Sequence, residues 1–361
     1  MYEKIILITG GCGFIGRWVL ETFLTKYPQY LIINFDALTY AGNLENIKDL
    51  EKYPNFLFVK GDIREFNAVD ELFATYNITD VIHMAAESHV DRSITNPFEF
   101  VNTNVMGTLN LLQVARNRWK EYTDRHVFFS MITDEIFGSL GKDDTPFNEN
   151  TPLDPHSPYS TSKTAQYLFG KTYYETYGVP VISLACGNAI GGYQFPEKLV
   201  PLTIDRLLNG QNIPIYGKGE QMRDWTNVID IADAIDVIFH KGAIGELYCI
   251  GGDACRSNID IVHALIDEVS KQTGKDKEEL EKLITFIPDP RGKAHDFRYD
   301  LDHSKITNEL GWKPFYTFND SVRMTVTWYL EHQDWVNNVK TGEYKNWIET
   351  YYGKEIEKKQ D

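Results

Sequence analysis

Two short stretches of this 361-residue chain carry side chains suited to proton transfer. Tyr159-Ser160-Thr161-Ser162-Lys163 sets a phenol and an ammonium at i, i+4, which on a helix puts both on one face. A cation beside a phenol lowers its pKa and fits it for acid–base work near neutral pH. The same lysine can hydrogen-bond a ribose. Thr133-Asp134-Glu135 adds a hydroxyl that can polarise a substrate oxygen, and two adjacent carboxyls. Hydride transfer alone needs no carboxyl pair. Two carboxyls of different pKa suit a second job: removing a proton from one carbon and protonating a hydroxyl that leaves the next.

A cofactor that takes a hydride would need its own cradle. Gly10, Gly13 and Gly16 stand as G-x-x-G-x-x-G between an apolar run and a helical pattern. Glycines there permit a tight turn, close approach to a pyrophosphate and close packing of helix on strand. The helix N-terminus, at Phe14 and Ile15, offers N–H donors and partial positive charge to phosphates. Asp36 follows the second apolar run, about twenty residues on, where a carboxylate accepts from ribose hydroxyls. Its charge would repel a 2′-phosphate, so NAD is expected rather than NADP. Asp62 and Ile63 close the third run and could meet the adenine. Ala85 and Ala86 close the fourth, where small side chains would let a cofactor lie flat.

These residues need a scaffold that brings strand ends together. Apolar runs at 4–9, 31–35, 56–60, 80–84, 127–130 and 181–184 alternate with helical patterns such as 15–26. Continuous apolar strands separated by helices imply a parallel sheet buried on both faces. The fold expected is α/β: a doubly wound, Rossmann-type parallel sheet with a smaller C-terminal substrate-binding lobe. Residues 1–187 plus about 226–254 would form the NAD-binding domain, and 188–225 plus about 255–361 the substrate lobe. Within this, 228–241 reads as an edge strand leading into a helix. Segments 257–273 and 275–283 read as helices. So does 318–335, with Val322, Val326, Tyr329 and Leu330 on its apolar side, while 355–361 is expected to fray.

Composition narrows the field. Lys and Arg number 36 against 52 Asp and Glu, a net charge of −16. That balance argues against a nucleic-acid partner, which requires a basic surface. No apolar run reaches the roughly 18–20 residues of a membrane span, and the first ten residues lack signal-peptide features. Cys12, Cys186, Cys249 and Cys255 show no metal-binding spacing. They read as reduced thiols of a cytoplasmic protein, with no metal expected.

The chain resembles the extended short-chain dehydrogenase/reductases, and among them the dTDP-glucose 4,6-dehydratases. The resemblance rests on TGGCGFIG, DALTYAGN from Asp36, AAESHVDRS at 85–93, TDEIFG at 133–138, SPYSTSK at 157–163, YQFPEKLVPL at 193–202 and YGKGEQMRDW at 216–225. It implies retained NAD and a proton cycle. Tyr159, with Lys163 beside it, would deprotonate a glucose 4-hydroxyl steadied by Thr133. Glu135 would remove the C5 proton, and Asp134 would protonate the departing 6-hydroxyl. Glu87, Asn188, Lys198, Leu199, Asn258 and His295 would line the nucleotide-sugar site. Arg223 and Arg291 would clamp the pyrophosphate, since guanidinium forks suit phosphate oxygens. Pro214 and Tyr216 would face the base. A 4-epimerase would use Tyr159, Lys163 and NAD without eliminating water; Asp134-Glu135 speaks against it. A silent NAD-binding protein would have no need of all five catalytic groups.

Departures from the family pattern fall near the site. Ile132 stands where the family usually carries serine, Phe137 where tyrosine is common, and Ala189-Ile190 where it carries Asn-Tyr. The run Asp289–Asp296 is two residues longer than the familiar DRPGHD. Helical stretches 98–116 and 160–177 are apolar on more than one side: Val101, Val105, Leu109 and Leu112 on one, Ala165, Leu168, Phe169 and Tyr173 on the other. A homodimer through a four-helix bundle of these helices is expected.

Overall fold

A computed structural model describes residues 2–119 and 126–340. Residues 355–361, expected to fray, lie outside them. The first half runs β1 (Lys4–Thr9), α1 (Phe14–Lys26), β2 (Tyr30–Asp36), β3 (Phe56–Lys60), α2 (Phe66–Tyr76) and β4 (Asp80–His83). It continues through α3 (Val90–Thr95), α4 (Pro97–Phe100), α5 (Thr108–Arg118), β5 (Phe128–Thr133), α6 (Pro158–Tyr177) and β6 (Val181–Cys186). The second half runs β7 (Asn188–Ile190), α7 (Leu199–Asn209), β8 (Ile213–Tyr216), β9 (Met222–Asn227), α8 (Val228–Lys241), β10 (Leu247–Ile250), β11 (Cys255–Ser257) and α9 (Asn258–Thr273). It closes with α10 (Lys277–Glu281), β12 (Ile284–Ile287), β13 (Arg298–Tyr299), α11 (Ser304–Leu310), α12 (Phe318–Glu331) and α13 (Gln333–Val339).

Seven parallel strands form one sheet in the order β3-β2-β1-β4-β5-β6-β10. Strand order reverses between β1 and β4, the place where such sheets bind dinucleotides. Register matters here: Thr9 pairs with both Phe35 and His83. Gly10, Asp36 and Met84 therefore stand level at one end of the sheet. Apolar side chains fill both faces, Ile6, Ile8 and Phe129 on one and Leu7, Ile33 and Phe128 on the other. A smaller sheet, β11-β9-β13 with β7 beside β9, and the pair β12-β8 build the second lobe around Trp225, Ile261 and Val326. The chain returns once more to the large sheet, where Ile306 of α11 and Trp312 join its core.

Four expectations need correction. Residues 228–241 form no strand; the strand lies before them, as β9 in the small sheet. Asn227 accepts from Ile229 N at 2.9 Å and caps α8 at Val228, and Ile231, Ile235 and Ile238 then recur at helical spacing. The last helix breaks at His332, giving α12 and α13. The 275–283 helix shrinks to 277–281. Residues 98–116 are not one regular helix: Val101–Gly107 is wound as a π-helix between α4 and α5. No helix among the described residues is long and apolar enough to cross a membrane.

Candidate active site

The glycine loop closes β1 against the start of α1. Gly10 holds φ +77°, and a Cβ there would lie 2.8 Å from the Ala85 backbone. A Cβ on Gly16 would stand 2.2 Å from the Gly10 carbonyl. Gly13 caps α1 with no side-chain hydrogen bond, so no side chain competes for the first helical N–H groups. They border a cavity of about 340 Å³. Gly10, Gly13, Phe14, Ile15, Gly16, Asp36, Asp62, Ile63, Ala85 and Ala86 all line it. This donor-rich cradle, with Asp36 at one end, fits a dinucleotide that carries no 2′-phosphate.

Two of the acidic groups are already engaged. Asp36 accepts from Cys12 N at 2.9 Å and Leu38 N at 2.8 Å, so it also fixes the loop. Asp62 takes Arg64 Nε at 2.9 Å and Nη2 at 2.6 Å, and this pairing holds its pKa below the ordinary carboxylate value despite burial.

The proposed proton-transfer groups meet at the other end of the same cavity. Thr133, Asp134, Glu135, Tyr159 and Lys163 all line it. Thr133 ends β5, and its hydroxyl caps the short turn that follows, accepting from Glu135 N at 3.4 Å and donating to Asp134 Oδ1 at 3.1 Å. Tyr159 stands in the first turn of α6, which Ser157 and Ser160 close with a capping box and Pro158 starts.

Burial pushes Asp134 up to about 8, helped by the neighbouring Glu135 charge. Glu135 is also raised by burial, while Arg223, Arg291 and Lys198 pull it down. One carboxyl therefore keeps its proton near neutrality, and the other sits among cations that favour its ionised form. The phenol departs from expectation. Burial and the Glu135 charge raise the Tyr159 pKa, while its bond with Thr133 opposes them. Lys163 Nζ turns instead to neutral partners, donating to Met131 O at 2.7 Å and Gln166 Oε1 at 2.6 Å. Burial brings the lysine itself down to about 7.

A second cavity, of about 180 Å³, adjoins the first; Glu135, Asn188 and Lys198 line both. Leu199, Pro214, Tyr216, Arg223, Asn258, Arg291 and His295 line the second, whereas Glu87 belongs to the first. Among the described residues Arg223 donates to backbone, to Met222 O at 2.6 Å, Phe297 O at 3.3 Å and Asp296 O at 3.1 Å, and its guanidinium stacks 4.2 Å from the Tyr299 ring centre. Arg291 donates to Asp91 from Nε at 2.5 Å and Nη2 at 3.4 Å. Burial and the Arg291 charge depress His295 to about 4. Two cations thus face the wall that Glu135 shares, as an anionic ligand would require.

A family model described as GDP-mannose 4,6 dehydratase matches residues 7–325. The dTDP-glucose 4,6-dehydratase of Shigella flexneri is 43% identical over 359 residues, covering 96% of this chain and 98% of that protein. This chain belongs to the dTDP-glucose 4,6-dehydratase family. The crystal structure of the Bacillus anthracis dTDP-glucose 4,6-dehydratase in complex with NAD aligns with a TM-score of 0.82 at 39% identity, over 93% of this chain and 100% of that one. The Streptomyces venezuelae dTDP-glucose 4,6-dehydratase, also solved with NAD bound, gives 0.85 at 36% identity over 93% and 100%.

In this dehydratase-family chain the two cavities also share a residue that sequence reasoning passed over. Glu197 is buried where they meet, 3.8 Å from His89 Nε2 and 4.0 Å from Lys198 Nζ, and burial lifts it to about 7. Its signal was a Glu-Lys pair between apolar neighbours in the 193–202 run. Tyr299 was missed too. It lines the second cavity and donates to Asp296 Oδ2 at 2.7 Å.

Proposed function

We propose that this chain is an NAD-dependent dTDP-glucose 4,6-dehydratase, which converts the nucleotide-bound glucose to its 4-keto-6-deoxy sugar with loss of one water. The observation that carries this reading is the Asp134–Glu135 pair beside Tyr159, at the junction of a dinucleotide cradle and a cation-lined cavity. An epimerase needs the phenol and the cradle but no paired carboxyls.

NAD fits the cradle described above, where Gly10, Gly13, Phe14, Ile15, Gly16, Asp36, Asp62, Ile63, Ala85, Ala86, Tyr159 and Lys163 would hold it; when bound it supplies a hydride acceptor that is restored by the end of the cycle. The chain's own groups move protons. Tyr159 Oη, once ionised to the phenolate, takes the proton of the sugar 4-hydroxyl, and Thr133 Oγ1 steadies that oxygen. A ketone at C4 acidifies C5, and a Glu135 carboxylate oxygen accepts the C5 proton. Asp134, which keeps its proton to about 8, delivers it to the C6 hydroxyl, and the C6–O bond breaks as water leaves and a C5–C6 double bond forms; the hydride taken from C4 is then returned to C6 while Glu135 gives its proton back to C5.

Arg223 and Arg291 hold the diphosphate, with Pro214 and Tyr216 toward the base. Glu87, Asn188, Lys198, Leu199, Asn258 and His295 complete the substrate wall. Residues 1–187 with 226–254 serve the dinucleotide, and 188–225 with 255–361 the nucleotide sugar, except that 304–312 packs on the large sheet. The working form is a cytoplasmic homodimer. Phe98, 78% exposed, and Leu168, 44% exposed, lie on the helices expected to form its four-helix bundle.

Incubation with dTDP-glucose tests the assignment. It predicts a product lighter by one water that shows the alkali-induced absorbance of a 4-keto-6-deoxy sugar. A product of unchanged mass would mark an epimerase instead.

A further inference from the structure

The second lobe reaches back to the glycine loop through one buried side chain. Trp335 stands on α13 and donates from Nε1 to Asn46 Oδ1 at 2.7 Å. Asn46 lies in the segment after β2, and its Nδ2 donates to the Cys12 carbonyl at 2.7 Å. The same carbonyl accepts from Asn43 N at 3.1 Å. On its other side, Cys12 N donates to the Asp36 carboxylate at 2.9 Å. Both polar backbone groups of the residue before Gly13 are thereby fixed. Gly13 N in turn donates to Gly10 O at 3.1 Å, which sets the entry to α1.

A second tie runs beside the first. The Arg17 guanidinium lies 4.7 Å from the Tyr193 ring centre, while its Nη2 donates to Asp49 at 2.8 Å. Trp18 Nε1 donates to the Gly192 carbonyl at 3.1 Å. Tyr193 meets Trp335 edge-on at 5.8 Å. Trp335 and α1 therefore grip the same segment, and Gln194 and Phe195, next along it, line the larger cavity. A purely structural contact could be made with apolar groups. Here a buried amide uses its acceptor on one lobe and its donor on the backbone of the loop, an arrangement that specifies one position.

We propose that Trp335 is a positioning residue for the dinucleotide: through Asn46 it holds the Cys12 carbonyl, and with it the glycine loop, so that release of the cofactor requires the second lobe to let go. This rests on the reading of the larger cavity as the NAD site. The test uses full-length protein and two variants. Trp335→Phe keeps an aromatic ring but loses the donor. Asn46→Asp keeps the acceptor for Trp335 but sets a carboxylate oxygen against the Cys12 carbonyl.

The rate of NAD release into excess unlabelled NAD is measured, together with the melting temperature with and without NAD. Loss of one buried hydrogen bond corresponds to about three- to tenfold faster release in either variant. The NAD-induced rise in melting temperature should shrink, while the NAD-free melting temperature moves less. Release at the wild-type rate from both variants overturns the proposal. So does an equal fall in melting temperature with and without NAD at unchanged release, which would mark a structural role only. Wild-type protein that binds no NAD would overturn the reading of the cavity, and the proposal with it.

Discussion

Lys163 Nζ donates to the Met131 carbonyl at 2.7 Å, tying the first turns of α6 to the strand that ends in Thr133. The hydroxyl, the two carboxyls and the phenol are thus set by one strand end and one helix start. Gln166 completes the link, accepting from Lys163 at 2.6 Å and donating to Ser130 Oγ at 3.0 Å. Proton-transfer groups anchored this way depend on the sheet for their spacing.

Replacing Tyr159 with Phe removes the group assigned to the 4-hydroxyl proton. Turnover should fall by about 10²–10⁴-fold, the usual worth of a general base. Bound NAD should be retained, because the glycine loop is untouched. Product formation and NAD content per chain measure the two separately.

Glu135→Gln should separate oxidation from elimination. C4 oxidation is expected to continue and to appear as absorbance of reduced nicotinamide in a single turnover. Release of water should slow by about 10²–10⁴-fold. Normal turnover in this variant would show that Glu135 is not the base.

Asp134 imposes a pH dependence with a definite sign. Its folded pKa, about 8, lies above the ordinary 3.8. As an acid it is competent only while protonated, so kcat should fall as pH rises through about 8. The folded state also binds a proton that the unfolded chain gives up. This group's contribution to stability therefore declines as pH rises from about 3.8 to about 8 and is constant above that. Asp134→Asn should flatten that part of the stability profile, read from urea midpoints at a series of pH values.

Gly16→Ala tests the cradle. The new Cβ would sit 2.2 Å from the Gly10 carbonyl, and backbone must move to admit it. A stability loss of about 1–3 kcal/mol is expected from overpacking of this kind. NAD binding should be lost alongside it, measured by calorimetric titration of the purified variant.

Much of this was legible in the sequence where local pattern and chemistry agree. Residues 4–9 and 56–60 read as strands because continuous apolar runs have no other stable place in such a sheet. The glycine loop, Asp36 and the Thr133–Glu135 run were readable because their spacing follows from strand ends. Failures came where β-branched residues open a helix, as at Val228, whose strand reading ignored the Asn227 cap. The π-helical winding at Val101–Gly107 left no signal in apolar periodicity. Tyr159 with Lys163 shows a different limit: i, i+4 spacing set both in one cavity, yet it did not reveal that the lysine would turn to Met131 and Gln166. Glu197 was hidden because burial of a charged residue between two lobes depends on contacts far apart in sequence.

The most direct test of the dehydratase reading is mass spectrometry of the sugar nucleotide after incubation of the purified protein with dTDP-glucose, first alone and then with NAD added. The expected result is a nucleotide sugar lighter by one water, formed with no net reduction of NAD. An unchanged mass under both conditions, or accumulation of reduced nicotinamide in step with an oxidised sugar, would contradict it.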